Sequence, residues 1–279
     1  MKKTLISIIS SLLVVVFSSN ALFAKDVNFI DPFNLDPLTD GIIGGTGLAL
    51  TTSAYLCDNV FHIKENDGAN VTFPLDANKV NSFDRPFIRP YSKKLDFVGD
   101  AILGVTLLTP TVMFASRNTN WLTVGVMYAE TIALANGLKE WGKLLIKRPR
   151  PYTYFEPTEG VQKEIDRGDW HNSMPSGHTT MAFTGAAFTS AVFNEYFPDS
   201  PWRHVVTATS FGIATTVGII RMCSGNHFLT DVLAGAAIGT FCGFIVPFFH
   251  SQTFNNLVNK NDKVQIAASP LSFNVNIKL

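Results

Sequence analysis

This sequence predicts an all-α fold, six helices running up and down as a membrane-embedded bundle with a polar cap and a short C-terminal β-like tail. Three observations carry that prediction. Charged residues make up 16% of the 279, against the roughly 25% usual in soluble domains. Six apolar segments, 41–57, 96–116, 121–142, 177–196, 204–221 and 231–249, each approach the ~20 residues that cross hydrocarbon at ~1.5 Å per residue. The polar residues with distinctive chemistry gather at the ends of these segments. A large soluble bundle with wholly buried helices is the competing reading, because buried helices are equally apolar.

Four regions follow in order. Residues 1–24 carry Lys2 and Lys3, a largely apolar core from Leu5 to Phe17 and then Ser18-Ser19-Asn20-Ala21-Leu22-Phe23-Ala24. They read as a cleaved export signal or as an uncleaved N-terminal membrane segment. Residues 25–94 hold the N-terminal tail, the first helix and an irregular polar cap, whose Arg85, Arg89, Lys93 and Lys94 form a solvated face. Residues 95–250 are the helical core, in which Gly235 and Gly239 form a G-x-x-x-G step suited to close helix packing. In the tail, 251–279, Leu271, Phe273, Val275, Ile277 and Leu279 alternate with polar residues, a strand pattern expected to dock near Val27–Phe29. No Gly/Ser- or Pro-rich linker splits the chain, which reads as one domain.

The formal net charge is zero, so no bulk field favours nucleic acid and none is expected as a partner. Attraction for an anion must be local. The three cysteines, Cys57, Cys223 and Cys242, read as buried small hydrophobes.

The local chemistry lies in three motifs: Lys143 with Arg150-Pro151, Pro175-Ser176-Gly177-His178, and Arg221 with His227 and Asp231. In an up-and-down bundle the end of the third helix, the start of the fourth, the end of the fifth and the start of the sixth share one face. The motifs sit at those four ends, so residues distant in sequence converge on one mouth.

Asp231 follows His227 by four positions, which on a helical turn sets the carboxylate beside the ring. Such a partner fixes the tautomer and leaves one ring nitrogen as a nucleophile. The 175–178 turn opens a helix, whose free N–H groups favour an anion. Gly177 allows close backbone approach, Ser176 adds a hydroxyl, and His178 is placed as general acid. Lys143, Arg150 and Arg221 would hold charge on phosphoryl oxygens. Lys139, Lys147 and Arg148 read instead as cations at a membrane surface. Among the other histidines, His62, His204 and His250 have no motif context; His171 either lines the substrate approach or is a loop residue without a role.

With these motifs in order, residues 95–250 resemble the type 2 phosphatidic acid phosphatase superfamily, which also includes bacterial acid phosphatases and vanadium haloperoxidases. The family pattern is Lys, six residues, Arg-Pro; then Pro-Ser-Gly-His; then Ser-Arg, five residues, His, three residues, Asp. This chain departs at Ile220, where the family often has Ser, and carries a rival Arg148-Pro149 whose seventh preceding residue is Trp141 rather than Lys.

The resemblance implies a phosphohistidine on His227, hydrolysed with His178 as acid and then base. It implies no metal and no cofactor. It points to phosphate monoesters or diphosphates on membrane lipids, such as undecaprenyl diphosphate, phosphatidylglycerol phosphate or lipid A phosphates. The alternatives are a secreted, soluble, broad-specificity acid phosphatase and a vanadium-dependent haloperoxidase.

The expected location is the inner membrane, multi-pass, with the mouth toward the periplasm. Six crossings after a cleaved signal would instead face the mouth inward. An uncleaved first helix, or a 41–57 segment only partly in the membrane after cleavage, faces it outward.

Overall fold

A computed structural model describes residues 29–61, 71–260, 264–269 and 272–277. The proposed signal, 1–24, lies outside them. Six long helices follow the apolar segments: α1 (Pro37–Asn59), α2 (Lys93–Leu107), α3 (Trp121–Ile146), α5 (Gly177–Tyr196), α6 (Trp202–Cys223) and α7 (Leu229–His250). Two short helices that apolar patterning missed are α4 (Glu159–Asp166), in the loop after α3, and α8 (Gln252–Lys260). Both carry more polar than apolar residues, so neither gave a hydrophobic run.

Helix boundaries have local causes. The Asp36 carboxylate accepts the Thr39 N–H at 2.9 Å, and Pro37 opens α1. α3 is started by Asn120, which accepts the Thr123 N–H, and stopped by Lys147 in the left-handed region at φ 45°. α2 gives way after Leu107 to a 3-10 run, Thr109–Ala115.

α5 is the central helix. Its most extensive contacts are with α7 and α6, and it also meets α2 and α3; α1 lies along α3. Small residues set the spacing. A Cβ on Gly235 would stand 2.6 Å from the Ser176 carbonyl oxygen, one on Gly239 would overlap the Thr180 carbonyl, and one on Gly243 would meet the Ala187 Cβ at 2.6 Å. The G-x-x-x-G step therefore extends to a third glycine and seats α7 against α5. On the other side, Gly137 lets α3 approach Leu50 of α1.

Three apolar clusters fill the molecule. One, around Phe33, Met127, Phe188, Tyr196 and Val246, lies at the end where α5 and α7 finish. A second, around Ala182, Ala186, Ala214 and Val217, joins α5 to α6. The third packs Tyr152, Val161, Ile165 and Trp170 under Val71, Phe73, Leu75 and Tyr91, tying the polar cap to the loop after α3.

Lys93–Met113, α6 and α7 are each long and apolar enough to cross a membrane. The last two expose Trp202, Val205, Ile219, Leu233, Phe241, Phe244 and Phe248.

The C-terminal strand forms, as β2 (Ser272–Ile277), and pairs antiparallel with β1 (Val264–Ser269) in a hairpin; Val27 and Asn28, near which it is expected to dock, lie outside the described residues. A neighbouring strand satisfies a whole ladder of backbone groups, whereas a surface would satisfy few. Of the three cysteines only Cys242 is buried; Cys57 is intermediate and Cys223 is exposed at the end of α6.

Candidate active site

The ends of α3 and α6 and the starts of α2, α5 and α7 meet at one end of the bundle. Beyond Lys147 the chain turns through Pro149 and Pro151. The Arg150 N–H then donates to the Trp170 carbonyl at 2.7 Å, and the Tyr152 N–H to the Gly225 carbonyl at 3.0 Å. These bonds lash the loop after α3 to the 224–228 turn between α6 and α7. Gly225, at φ 76°, makes that turn, and a Cβ there would meet the Pro90 carbonyl at 2.5 Å.

His227 is buried in this turn, 2% exposed. Its Nδ1 lies 2.7 Å from the Ser173 carbonyl oxygen. A carbonyl can only accept, so Nδ1 carries the proton and Nε2 of the neutral ring keeps its lone pair. Asp231 is beside the ring, 3.9 Å from Nδ1, too far for a hydrogen bond. The tautomer is thus set by the Ser173 carbonyl rather than directly by Asp231, a correction to the spacing argument.

Asp231 acts one step back. Its Oδ2 accepts the Ser173 hydroxyl at 2.6 Å and the Phe228 N–H at 2.8 Å, and its Oδ1 accepts Arg148 Nη1 at 2.7 Å. The carboxylate therefore positions the residue that holds the ring and caps the first turn of α7.

Arg148 is likewise corrected from a surface cation to an internal bridge. Its other arm donates to Asp84 Oδ2 at 2.7 Å, and its guanidinium lies over the Phe228 ring. Asp84 is fully buried and also accepts the Thr230 hydroxyl and N–H. Burial raises its pKa, but hydrogen bonds from Thr230, Asn81 and Arg148 outweigh that and hold it below the usual carboxylate range.

The other cations are held by acids that no motif marked. Arg150 Nη2 pairs with Asp169 at 2.6 Å, and its Nη1 donates to Asn226 Oδ1 at 3.3 Å. Burial disfavours its charge, but Asp169 prevails and raises its pKa. Arg221 pairs with Asp96, which also accepts the Tyr91 hydroxyl and the Asn226 amide. The Arg221 Nε–H is buried with no acceptor among the described residues. Lys143 Nζ is 3.7 Å from Glu140.

His178 Nε2 lies 2.6 Å from Asp100 Oδ1. Asp96 and Asp100 follow a helical i, i+4 step on α2, so that helix supplies partners to Arg221 and His178 together. The pattern was present in the sequence, but nothing there said that the start of α2 joins this mouth.

At the start of α5, the Ser176 N–H donates to the Asp231 carbonyl and its hydroxyl oxygen accepts from Thr179. A Cβ on Gly177 would lie 3.5 Å from Lys143 Nζ, so the bare backbone faces the lysine. A Cβ on Gly99 of α2 would lie 3.4 Å from Ile220 and 3.5 Å from Arg221 Nη1, so α2 packs closely against the end of α6. His171 is buried against Trp170.

The convergence shows in the basicity of His227. Its pKa falls well below the ordinary histidine value, first through burial and then through the positive fields of Arg150, Arg221, His178 and Lys143. All three motifs contribute to the field at one ring.

Comparison with known proteins matches residues 124–254 to the model of the PAP2 superfamily. The match takes in just under half of the chain, and this stretch is similar to the PAP2 superfamily. The PAP2 region takes in α3 to α7 and every motif residue named above. Among curated relatives, the chain is 30% identical over 151 residues to lipid A 1-phosphatase of Porphyromonas gingivalis, covering 54% of this chain and 29% of that protein. It is 35% identical over 71 residues to lipid A 4'-phosphatase of the same organism, covering 25% and 27%. The chain thus spans under a third of the length of both. A solved transmembrane PAP2-type phosphatidylglycerolphosphate phosphatase from Bacillus subtilis is 21% identical, with a TM-score of 0.41, covering 79% of this chain and 97% of that one.

Proposed function

We propose that this protein is a membrane-embedded phosphatase that hydrolyses the phosphate ester or diphosphate of a lipid through a phosphohistidine on His227. The observation that carries the reading is the tautomer of His227: Nδ1–H is committed to Ser173, which leaves Nε2 its lone pair on a ring that feels the positive fields of Arg150, Arg221, His178 and Lys143.

In the first step Nε2 attacks phosphorus, the P–O bond to the leaving group breaks, and His178 protonates the departing oxygen. In the second, His178 takes a proton from water, the hydroxide attacks phosphorus, and the N–P bond breaks to free phosphate. Arg150, Arg221, Lys143 and the N–H groups at Gly177 and His178 hold the equatorial oxygens in both steps. Asp100 orients His178, and Asp231 orients His227 through Ser173.

Lipid substrates are favoured by the exposed Trp202, Val205 and Ile219 on α6 and the exposed Leu233, Phe241, Phe244 and Phe248 on α7, whose contact with water would cost about 25 cal/mol per Å². A soluble acid phosphatase would have to leave them wet. The relatives direct the first trial to lipid A phosphates, ahead of undecaprenyl diphosphate and phosphatidylglycerol phosphate.

The deciding experiment is rapid acid- and base-quenching of full-length protein with a ³²P-labelled lipid phosphate. Wild type is expected to carry acid-labile, base-stable label, which His227→Ala lacks. Turnover without such label, or equal label in the variant, overturns the mechanism.

A further inference from the structure

The bundle end opposite the PAP2 mouth holds a second cluster, which none of the three motifs touches. Asp40 lies in the first turn of α1, Glu130 in the third turn of α3, and His250 is the last residue of α7. Nineteen residues of helix separate His250 from Asp231, about 28 Å at ~1.5 Å per residue. His250 Nε2 is 2.8 Å from Asp40 Oδ1 and 3.3 Å from Glu130 Oε2. The three ligand atoms lie within 4.8 Å of one another.

Two observations suit the cluster to a cation. His250 Nδ1 is 2.9 Å from the Val246 carbonyl oxygen, so it carries a proton. With Nδ1–H so committed, Nε2 faces two carboxylate oxygens, and a cation seated among the three atoms would be met by a nitrogen lone pair and both carboxylates. Glu130 is 7% exposed, and its Oε2 is buried without a hydrogen-bond partner among the described residues. An orphaned carboxylate oxygen in an apolar bundle is costly unless something positive meets it.

We propose that Asp40, Glu130 and His250 bind one divalent transition-metal ion, zinc by ligand chemistry, as a staple joining α1, α3 and α7. Bonds of about 2.0–2.2 Å in a tetrahedron put ligand atoms about 3.4 Å apart, close to the separations present. An imidazole in the set favours zinc over magnesium or calcium, and the affinity order favours zinc over manganese. Two carboxylates neutralise the dication. The Nδ1–H bond to a backbone carbonyl is the outer contact that metal-bound histidines usually make. Gly44, where a Cβ would lie 3.3 Å from Glu130 Oε1, leaves room for that carboxylate. Asp40, whose side chain is 24% exposed, gives an ion a route in from solvent.

The site stands independently of the phosphatase reading, and so does its test. Full-length protein purified in detergent is loaded with Zn²⁺, dialysed, and assayed for metal by mass spectrometry and for thermal unfolding. Wild type is expected to retain one zinc per chain and to lose thermal stability with EDTA. Glu130→Gln and the milder, partly exposed Asp40→Asn should retain less than a tenth as much and show no EDTA response. Substoichiometric zinc in wild type, equal retention in both variants, retention of manganese in preference to zinc, or a melting temperature indifferent to EDTA would each overturn it. The last two outcomes mark a different ion or a protonated imidazole bridging the carboxylates.

Discussion

Residues four apart on a helical turn share a face, and His227 and Asp231 obey that rule, yet the ring and the carboxylate meet through Ser173. Asp231 is therefore a positioning residue. Asp231→Asn is expected to lower kcat by ten- to a hundredfold with a smaller change in KM, measured by phosphate release at saturating substrate. Arg148, which touches neither His227 nor the other cations, bridges two buried carboxylates. Arg148→Met should cost about 3–5 kcal/mol of stability, because both acids are left without their counter-charge; thermal unfolding in detergent checks this.

The depressed basicity of His227 has a consequence for pH. The unfolded ring takes a proton near pH 6.5 and the buried ring only well below that. The unfolded state then binds more protons, so this contribution to stability is whole above about pH 6.5 and is lost as pH falls toward the folded value. Wild type should accordingly lose more melting temperature between pH 7 and pH 5 than His227→Gln, whose side chain does not titrate. An equal loss would place the imidazolium comfortably in the fold.

At the scale of elements, α5 against α7 is the tightest contact, and glycine sets it. Gly239→Ala pushes a methyl into the carbonyl of Thr180, in the first turn of α5, and should destabilise by about 1–3 kcal/mol. Gly104 and Gly125, where a Cβ meets nothing within 4 Å, serve as controls. Alanine there should be neutral or slightly stabilising, since helix propensity favours it by up to about 1 kcal/mol. Parallel unfolding curves for the three variants test the assignment of close approach to Gly239 alone.

For the whole molecule, the alternation of helix directions brings both ends of the chemistry to one face and leaves the Asp40–Glu130–His250 cluster on the other. Single cysteines in the loop 152–174 are expected to react with an impermeant maleimide on intact spheroplasts. Labelling only after lysis would reverse the orientation. Carbonate extraction should leave the protein in the membrane pellet, and its release would favour the soluble alternative.

Six helices and the convergence of three motifs were legible because both depend on local pattern: apolar runs specify helices, and short loops force neighbours to run antiparallel. That residues 143, 150, 175–178, 221, 227 and 231 stand at or beside helix ends was legible for the same reason. What only the tertiary structure decided were the partners supplied from elsewhere: Asp84 from the cap, Asp96 and Asp100 from α2, Asp169 from the loop and the Ser173 carbonyl. A hydrogen bond across the fold depends on which helix ends become neighbours and at what depth, and no periodicity in the chain encodes that. The same reason hid His250, whose two acidic neighbours stand 120 and 210 residues away in sequence.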